Sequence, residues 1–339
     1  MNDKISVYKL LKVKALSLLF IFFVSSNLFA SDSKDTKAFD PGAMITHHIV
    51  DDYIWHFFDG HYGTIYLPVI LYTDAGIEMF SSSNFYDADH NVVDYKGYRL
   101  DHGRISALDG SHPMDFSITK NVASLFLSAI IMLVVFFSVA RGYKSPKKAP
   151  RGIQSFFEPI IVFVRDEIAL PNIGEKQHRK FLPFLLTLFF FIWFNNLLGL
   201  LPGGANLTGN ISVTLVLATI VLIVTLFSTK KYYWKHIFAT PGVPFPVLLI
   251  LIPIELVGII TKPFSLMVRL FANITAGHII ILSLFSLIFI FESIAIAPIS
   301  VAFAIFMNFL ELFVALLQAY VFTLLSAMYF GAAVEEAHH

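Results

Sequence analysis

The chain has 339 residues, of which 56% are hydrophobic and 14% charged, whereas soluble domains are about a quarter charged. Lys plus Arg equals Asp plus Glu at 24 each, so no charge excess points to nucleic acid. Cysteine is absent, which excludes disulfides, thiolate metal sites and cysteine nucleophiles.

The chain opens with Lys4, Lys9, Lys12 and Lys14, then an apolar stretch over 15–24 and a run of small or polar residues. This layout predicts a secretory signal peptide over residues 1–30, cut after Ala30. Residues 31–116 are polar and hold no spanning run. Within them 62–72 and 91–100 read as short strands, with a turn at Thr73-Asp74-Ala75-Gly76. His47, His48, His56 and His61 fit no zinc spacing and read as scattered surface histidines, so no metal site is predicted.

The first span is uncharged and covers 122–140. Arg141, Lys144, Lys147, Lys148 and Arg151 follow, and the positive-inside rule puts them in the cytoplasm. Residues 152–170 have apolar positions at helical spacing mixed with charges, which predicts an amphipathic helix on the membrane surface. Residues 181–201 and 211–229 are the second and third spans, and Lys230, Lys231 and Lys235 mark the cytoplasm again. Two long apolar runs remain, over 243–291 and 293–334. Each exceeds the roughly 20 residues of an upright span. Hydropathy leaves open four upright helices or two long, tilted ones.

The polar residues in those two runs carry the chemistry. The first run holds Glu255, Lys262, Arg269, Asn273 and His278; the second holds Asn308, Glu311 and Gln318. A charge at mid-bilayer costs about 2.5–3.5 kcal/mol even on the lenient insertion scale, so each such residue calls for a functional partner. Glu255, Lys262 and Arg269 are spaced by sevens and share a helix stripe, and Asn273 lies one turn beyond Arg269. An antiparallel hairpin turning at 292–298 sets Arg269 level with Gln318 and His278 level with Glu311. The two layers stand about 13 Å apart along the helix. Imidazole and a buried carboxyl can pass a proton. Arginine cannot deprotonate, so Arg269 is a fixed positive charge and no relay. Lys262 reads as an interfacial anchor.

The stretch Arg269-Leu270-Phe271-Ala272-Asn273-Ile274-Thr275-Ala276-Gly277-His278 resembles the signature helix of the F-type ATP synthase a subunit. Lys262-Pro263-Phe264-Ser265-Leu266, Glu311, Leu317-Gln318-Ala319-Tyr320-Val321-Phe322 and Phe194-Asn195-Asn196-Leu197-Leu198-Gly199-Leu200-Leu201-Pro202 are also similar to that family. The resemblance covers about 117–335. It implies five crossings, the last two being long tilted helices, beside a ring of c subunits that each carry a membrane carboxylate. It implies that Arg269 is the essential cation between two offset half-channels. Asn273 and Gln318 match its polar neighbours, and His278 and Glu311 match outer half-channel positions, in the reverse of the order common in bacterial relatives. Asn196 matches a polar position of the earlier helix, and Glu255 a cytoplasmic-side carboxylate. Gly199 stands where many relatives have an acid. Residues 31–116 are longer than usual in the family, and the resemblance does not imply what they do.

The expectation is therefore an all-α polytopic membrane protein of the bacterial inner membrane with about five transmembrane helices. It comprises a signal peptide (1–30), an extracytoplasmic extension (31–116), a proton-channel domain (117–335) and a cytoplasmic tail (336–339). Its expected function is proton translocation in the stator of a rotary ATP synthase, with the c ring, the b-subunit peripheral stalk, the other synthase subunits, the lipid bilayer and protons as partners. No cofactor and no catalytic or nucleotide site is predicted, since no phosphate-binding glycine loop occurs. The alternatives are a proton-coupled secondary transporter, which should show an internal repeat, and a non-transporting scaffold.

Overall fold

The computed structural model describes residues 42, 50–56, 63–74, 76–87, 91–101, 103–143, 152–201, 203–239, 243–291 and 296–335. The predicted signal peptide, His47, His48, His61, four of the five loop cations and the tail 336–339 lie outside the described residues.

Residues 50–116 hold the short strands. β1 (Ile54–His56) pairs antiparallel with β2 (Thr64–Tyr66). β3 (Pro68–Thr73) lies between β4 (Gly76–Ser81) and β7 (Met114–Asp115), and β5 (Tyr98–Asp101) pairs with β6 (Arg104–Ala107). Inward-facing Val69, Leu71, Phe85 and Tyr98 make a small core with Tyr53. The strand predicted over 62–72 is present as β2 and β3, with the predicted turn closing the β3–β4 hairpin. The strand predicted over 91–100 forms a ladder only from Tyr98 onward. Lys96 (φ 50°) and Gly97 (φ 82°) both take positive φ and close a two-residue turn between Tyr95 and Tyr98.

Five described helices are long and apolar enough to cross a membrane. They are α1 (Lys120–Gly142), α4 (His178–Gly199), α5 (Ile211–Ser228), α7 (Phe245–Phe291) and α8 (Ala297–Val334). Hydropathy left two arrangements open for the last 90 residues, and the structure has the two-helix one. At 47 residues α7 is about 70 Å long, more than twice the hydrocarbon thickness, so an upright α7 cannot fit within it. Pro253 and Pro263 lie inside α7 without ending it. A bilayer offers the backbone no water, so helix persists through proline where neighbouring helices support it.

The predicted surface helix is built in three pieces: α2 (Ile153–Phe163), a π-helical turn (Val164–Ala169) and α3 (Leu170–Ile173). The wider turn keeps Phe157, Val164, Ile168 and Ile173 on one buried face while Arg165 and Glu167 stay exposed. A short α6 (Lys231–Phe238) precedes α7.

The membrane core joins Leu185, Phe189 and Phe190 of α4 to Leu266, Leu270 and Ile274 of α7 and to Phe322 and Phe330 of α8. Phe181 stacks on Phe330 with ring centroids 5.0 Å apart. The buried face of α8 is rich in small residues, Ala304, Ala315, Ala319, Ser326 and Ala327. In lipid, close approach of this kind drives helix association through dispersion. It seats α8 against both α4 and α7, the two other helices that carry the polar residues.

Candidate functional site

Glu255, Arg269, Asn273 and His278 project from α7, Glu311 and Gln318 from α8, and Asn196 from α4. The antiparallel α7–α8 packing brings His278 and Glu311 together, with His278 Nε2 3.8 Å from Glu311 Oε1. That separation is an ion-pair distance and too long for a direct hydrogen bond. The side chains are 14% and 4% exposed. Both carboxyl oxygens of Glu311 are buried and lack a hydrogen-bond partner among the described residues. The carboxyl lies against the α7 backbone at Gly277, where a Cβ would stand 2.6 Å from Oε1. Any side chain at 277 would displace it. Gly199 of α4 leaves space on the other side: a Cβ there would be 3.8 Å from His278 Nε2. Gly199 thus faces the histidine.

A proton can rest on the imidazole, giving an ion pair, or on the carboxyl, giving two neutral groups. Both states have zero net charge, so a proton can move between them without the pair acquiring net charge in a low-dielectric setting.

The second predicted layer takes a different form. Asn273 Nδ2 donates to Gln318 Oε1 at 3.0 Å, so Gln318 bonds the residue one turn beyond Arg269. Arg269 makes no hydrogen bond or ion pair among the described residues and is exposed, as is Asn273. Exposed Phe264 and Val268 flank Arg269 on the same helix. A permanent cation at mid-bilayer is expensive unless it faces water, protein or an anion.

Asn196 is 3% exposed and fully engaged. Its Nδ2 donates to the Ala315 carbonyl at 3.2 Å, and its Oδ1 accepts from the Thr208 hydroxyl at 2.7 Å. Thr275 donates to the Gly209 carbonyl at 3.4 Å. Thr208, Thr275 and Gly277 were not singled out from the sequence. A neutral hydroxyl or a glycine has no hydropathy signature, and the Asn206-Leu207-Thr208-Gly209-Asn210 stretch reads only as turn. Neighbouring Asn195 bonds its own helix at Phe191 O, and Asn308 does the same at Ala304 O.

Glu255 lies near the other end of α7, half-buried, close to α6. Burial, and after it the Glu255 charge, push the Tyr233 phenol above its usual range. Lys262 places its Nζ 5.9 Å from the Tyr329 ring centroid, and the two border a cavity that also reaches Thr225 and Tyr233. This cavity and the His278–Glu311 pair lie on opposite sides of Arg269 along α7.

A family model described as ATP synthase A chain matches residues 122–331, and one described as a domain of unknown function matches 44–124. The chain is 38% identical to ATP synthase subunit a 2 of Chlorobaculum tepidum, over 95% of this chain and 91% of that protein. It is 43% identical to ATP synthase subunit a of Chloroherpeton thalassium, over 75% and 78% of the two chains. It is 39% identical to ATP synthase subunit a of an Anaeromyxobacter species, over 88% and 71%.

Proposed function

Because the chain belongs to the ATP synthase subunit a family, the proton-translocating stator of the membrane sector, we propose that Arg269 is its gating cation and His278–Glu311 its outer proton relay. The protein is a multi-pass membrane protein that assembles with other ATP synthase subunits, and the family is the channel part of that machine and not its catalytic part. The secondary-transporter alternative is not favoured, since relatives matched over most of the chain are subunits of the synthase.

One observation carries the reading of the site. An exposed arginine with no hydrogen bond or ion pair among the described residues stands nine residues along α7 from a buried acid–imidazole pair. The c ring supplies the missing carboxylate. Each rotor carboxylate meets Arg269 as it passes, gives up its proton to one side and takes one from the other. The fixed charge blocks any direct hop between the two sides. Protons enter through His278 and Glu311, with Asn196 holding the helices that carry them, while the Asn273–Gln318 bond orients the arginine face. The inner exit runs past Glu255 and the cavity beside Lys262. In this reading 31–116 lies outside the cytoplasm, 117–335 is the channel domain, the C-terminus is cytoplasmic, and the b stalk holds the stator in place.

The test is proton pumping by membrane vesicles carrying Arg269→Ala, driven by ATP and separately by an imposed gradient. ATP-driven pumping falls to background while the complex still assembles, and a passive leak appears. Pumping at the wild-type rate would remove Arg269 from the mechanism.

A further inference from the structure

We propose that residues 50–119 act as a brace that holds the outer loop of the channel in register, with Trp55 as its positioning residue. The inference rests on reading His278 and Glu311 as the outer part of the proton path.

β1 is preceded by an anchor on α1. Asp51 Oδ1 accepts the Asn121 backbone N–H at 3.0 Å, and Oδ2 accepts the Thr119 hydroxyl at 2.8 Å. The Lys120 N–H donates to the Asp52 carbonyl at 2.8 Å. The first turn of α1 is thus capped by the extension. Tyr53 donates its hydroxyl to Asp115, tying this segment to β7. Two residues later comes the second anchor: Trp55 Nε1–H donates to the Gly203 carbonyl at 2.7 Å, with the indole 9% exposed. Five residues of the extension, Asp51 to Trp55, therefore span from the start of α1 to the loop joining α4 and α5.

That loop is packed tightly. A Cβ on Gly204 would lie 2.1 Å from the Leu198 carbonyl oxygen, so the chain folds back directly onto the end of α4. Ala205, Leu207 and Thr208 are buried. From the loop, Thr208 reaches Asn196, which reaches the Ala315 carbonyl one turn beyond Glu311. The Gly209 carbonyl receives Thr275, one turn before His278. The loop therefore touches α7 directly and α8 through Asn196 of α4, in each case within a turn of a relay partner. The indole N–H is donor-only, and without it the Gly203 carbonyl loses its described partner outside the loop itself. The tether is a single strong bond at the head of a short chain of contacts ending at the His278–Glu311 spacing.

The experiment uses vesicles carrying the whole complex with Trp55→Phe, which keeps most of the ring and deletes the N–H. Passive proton conduction after removal of the catalytic sector is measured across a range of outer pH. Conduction falls roughly fivefold, the worth of one net hydrogen bond, and its pH profile shifts, with the complex assembled in normal amount. Thr208→Val reproduces the effect, Thr208→Ser does not, and the Trp55→Phe/Thr208→Val double loses no more than the worse single, because both act through one loop. If Trp55→Phe is not recovered, Asp51→Asn loosens the other anchor and gives the same signature. Wild-type conduction with an unchanged pH profile in the recovered variant overturns the brace, as does a double mutant that loses the product of the two singles. A pumping Arg269→Ala would sink the channel reading. A dead Arg269→Ala beside a normal Trp55→Phe would sink the brace alone.

Discussion

The α7–α8 hairpin carries two polar constellations built on opposite terms. His278 and Glu311 are largely buried and face each other across 3.8 Å inside one chain. Arg269 and Asn273 lie on the outer surface of the same helix pair, and among the described residues Asn273 has a hydrogen-bond partner while Arg269 has neither a hydrogen bond nor an ion pair. The enclosed pair can neutralise itself by moving a proton, so it needs no counter-charge from outside itself. The arginine cannot shed its charge, so an apolar environment obliges it to find an anion elsewhere. A titratable pair can be buried at rest, whereas a permanent cation must be presented to something that arrives.

The comparison can be broken or sharpened in turn. After Arg269→Ala, the largest effect is expected from Glu311→Gln, which leaves the shape but no titratable carboxyl. ATP-driven pumping should fall on the order of a hundredfold, the usual scale for losing a positioned acid–base group. A rate near wild type would reduce the pair to a packing contact. The exchange His278→Glu with Glu311→His keeps one acid and one imidazole in the same enclosure. Pumping in the double variant should exceed the product of the two single losses by roughly tenfold, a coupling of ordinary size for groups in contact. Strict additivity would mean that the two side chains work separately. Asn273→Ala should matter least. An interhelical hydrogen bond in a membrane is worth about 0.6 kcal/mol, or roughly threefold. A loss as large as that at Arg269 would make Asn273 part of the gate, not its support.

Much of this was legible in the residues. The first three spans needed only apolar runs, with cationic segments after the first and third to set their sides, and the structure places them within three residues of the expected bounds. The His278–Glu311 pairing followed from folding two apolar runs about one turn, because helical rise is uniform enough to keep register over some twenty residues. The partner of Gln318 did not follow. Side chains lean along their helix, so levelness of backbones does not decide which neighbour, Arg269 or Asn273, a glutamine reaches. The strand expected over 91–100 failed at Lys96–Gly97, where two positive φ angles turn the chain back on itself.

Composition and charge order by themselves determined that this chain lives in a bilayer, that its arginine is a fixed charge, and that one acid and one imidazole share a layer. Those properties follow from side-chain chemistry and from a single repeating geometry, the helix. Only the tertiary structure decided between two long helices and four short ones, buried Glu311 while leaving Arg269 on the surface, and joined Trp55 to Gly203 across 148 positions. Contacts of that kind depend on which small residues let helices approach and on how a loop folds back, and neither is written in hydropathy or spacing.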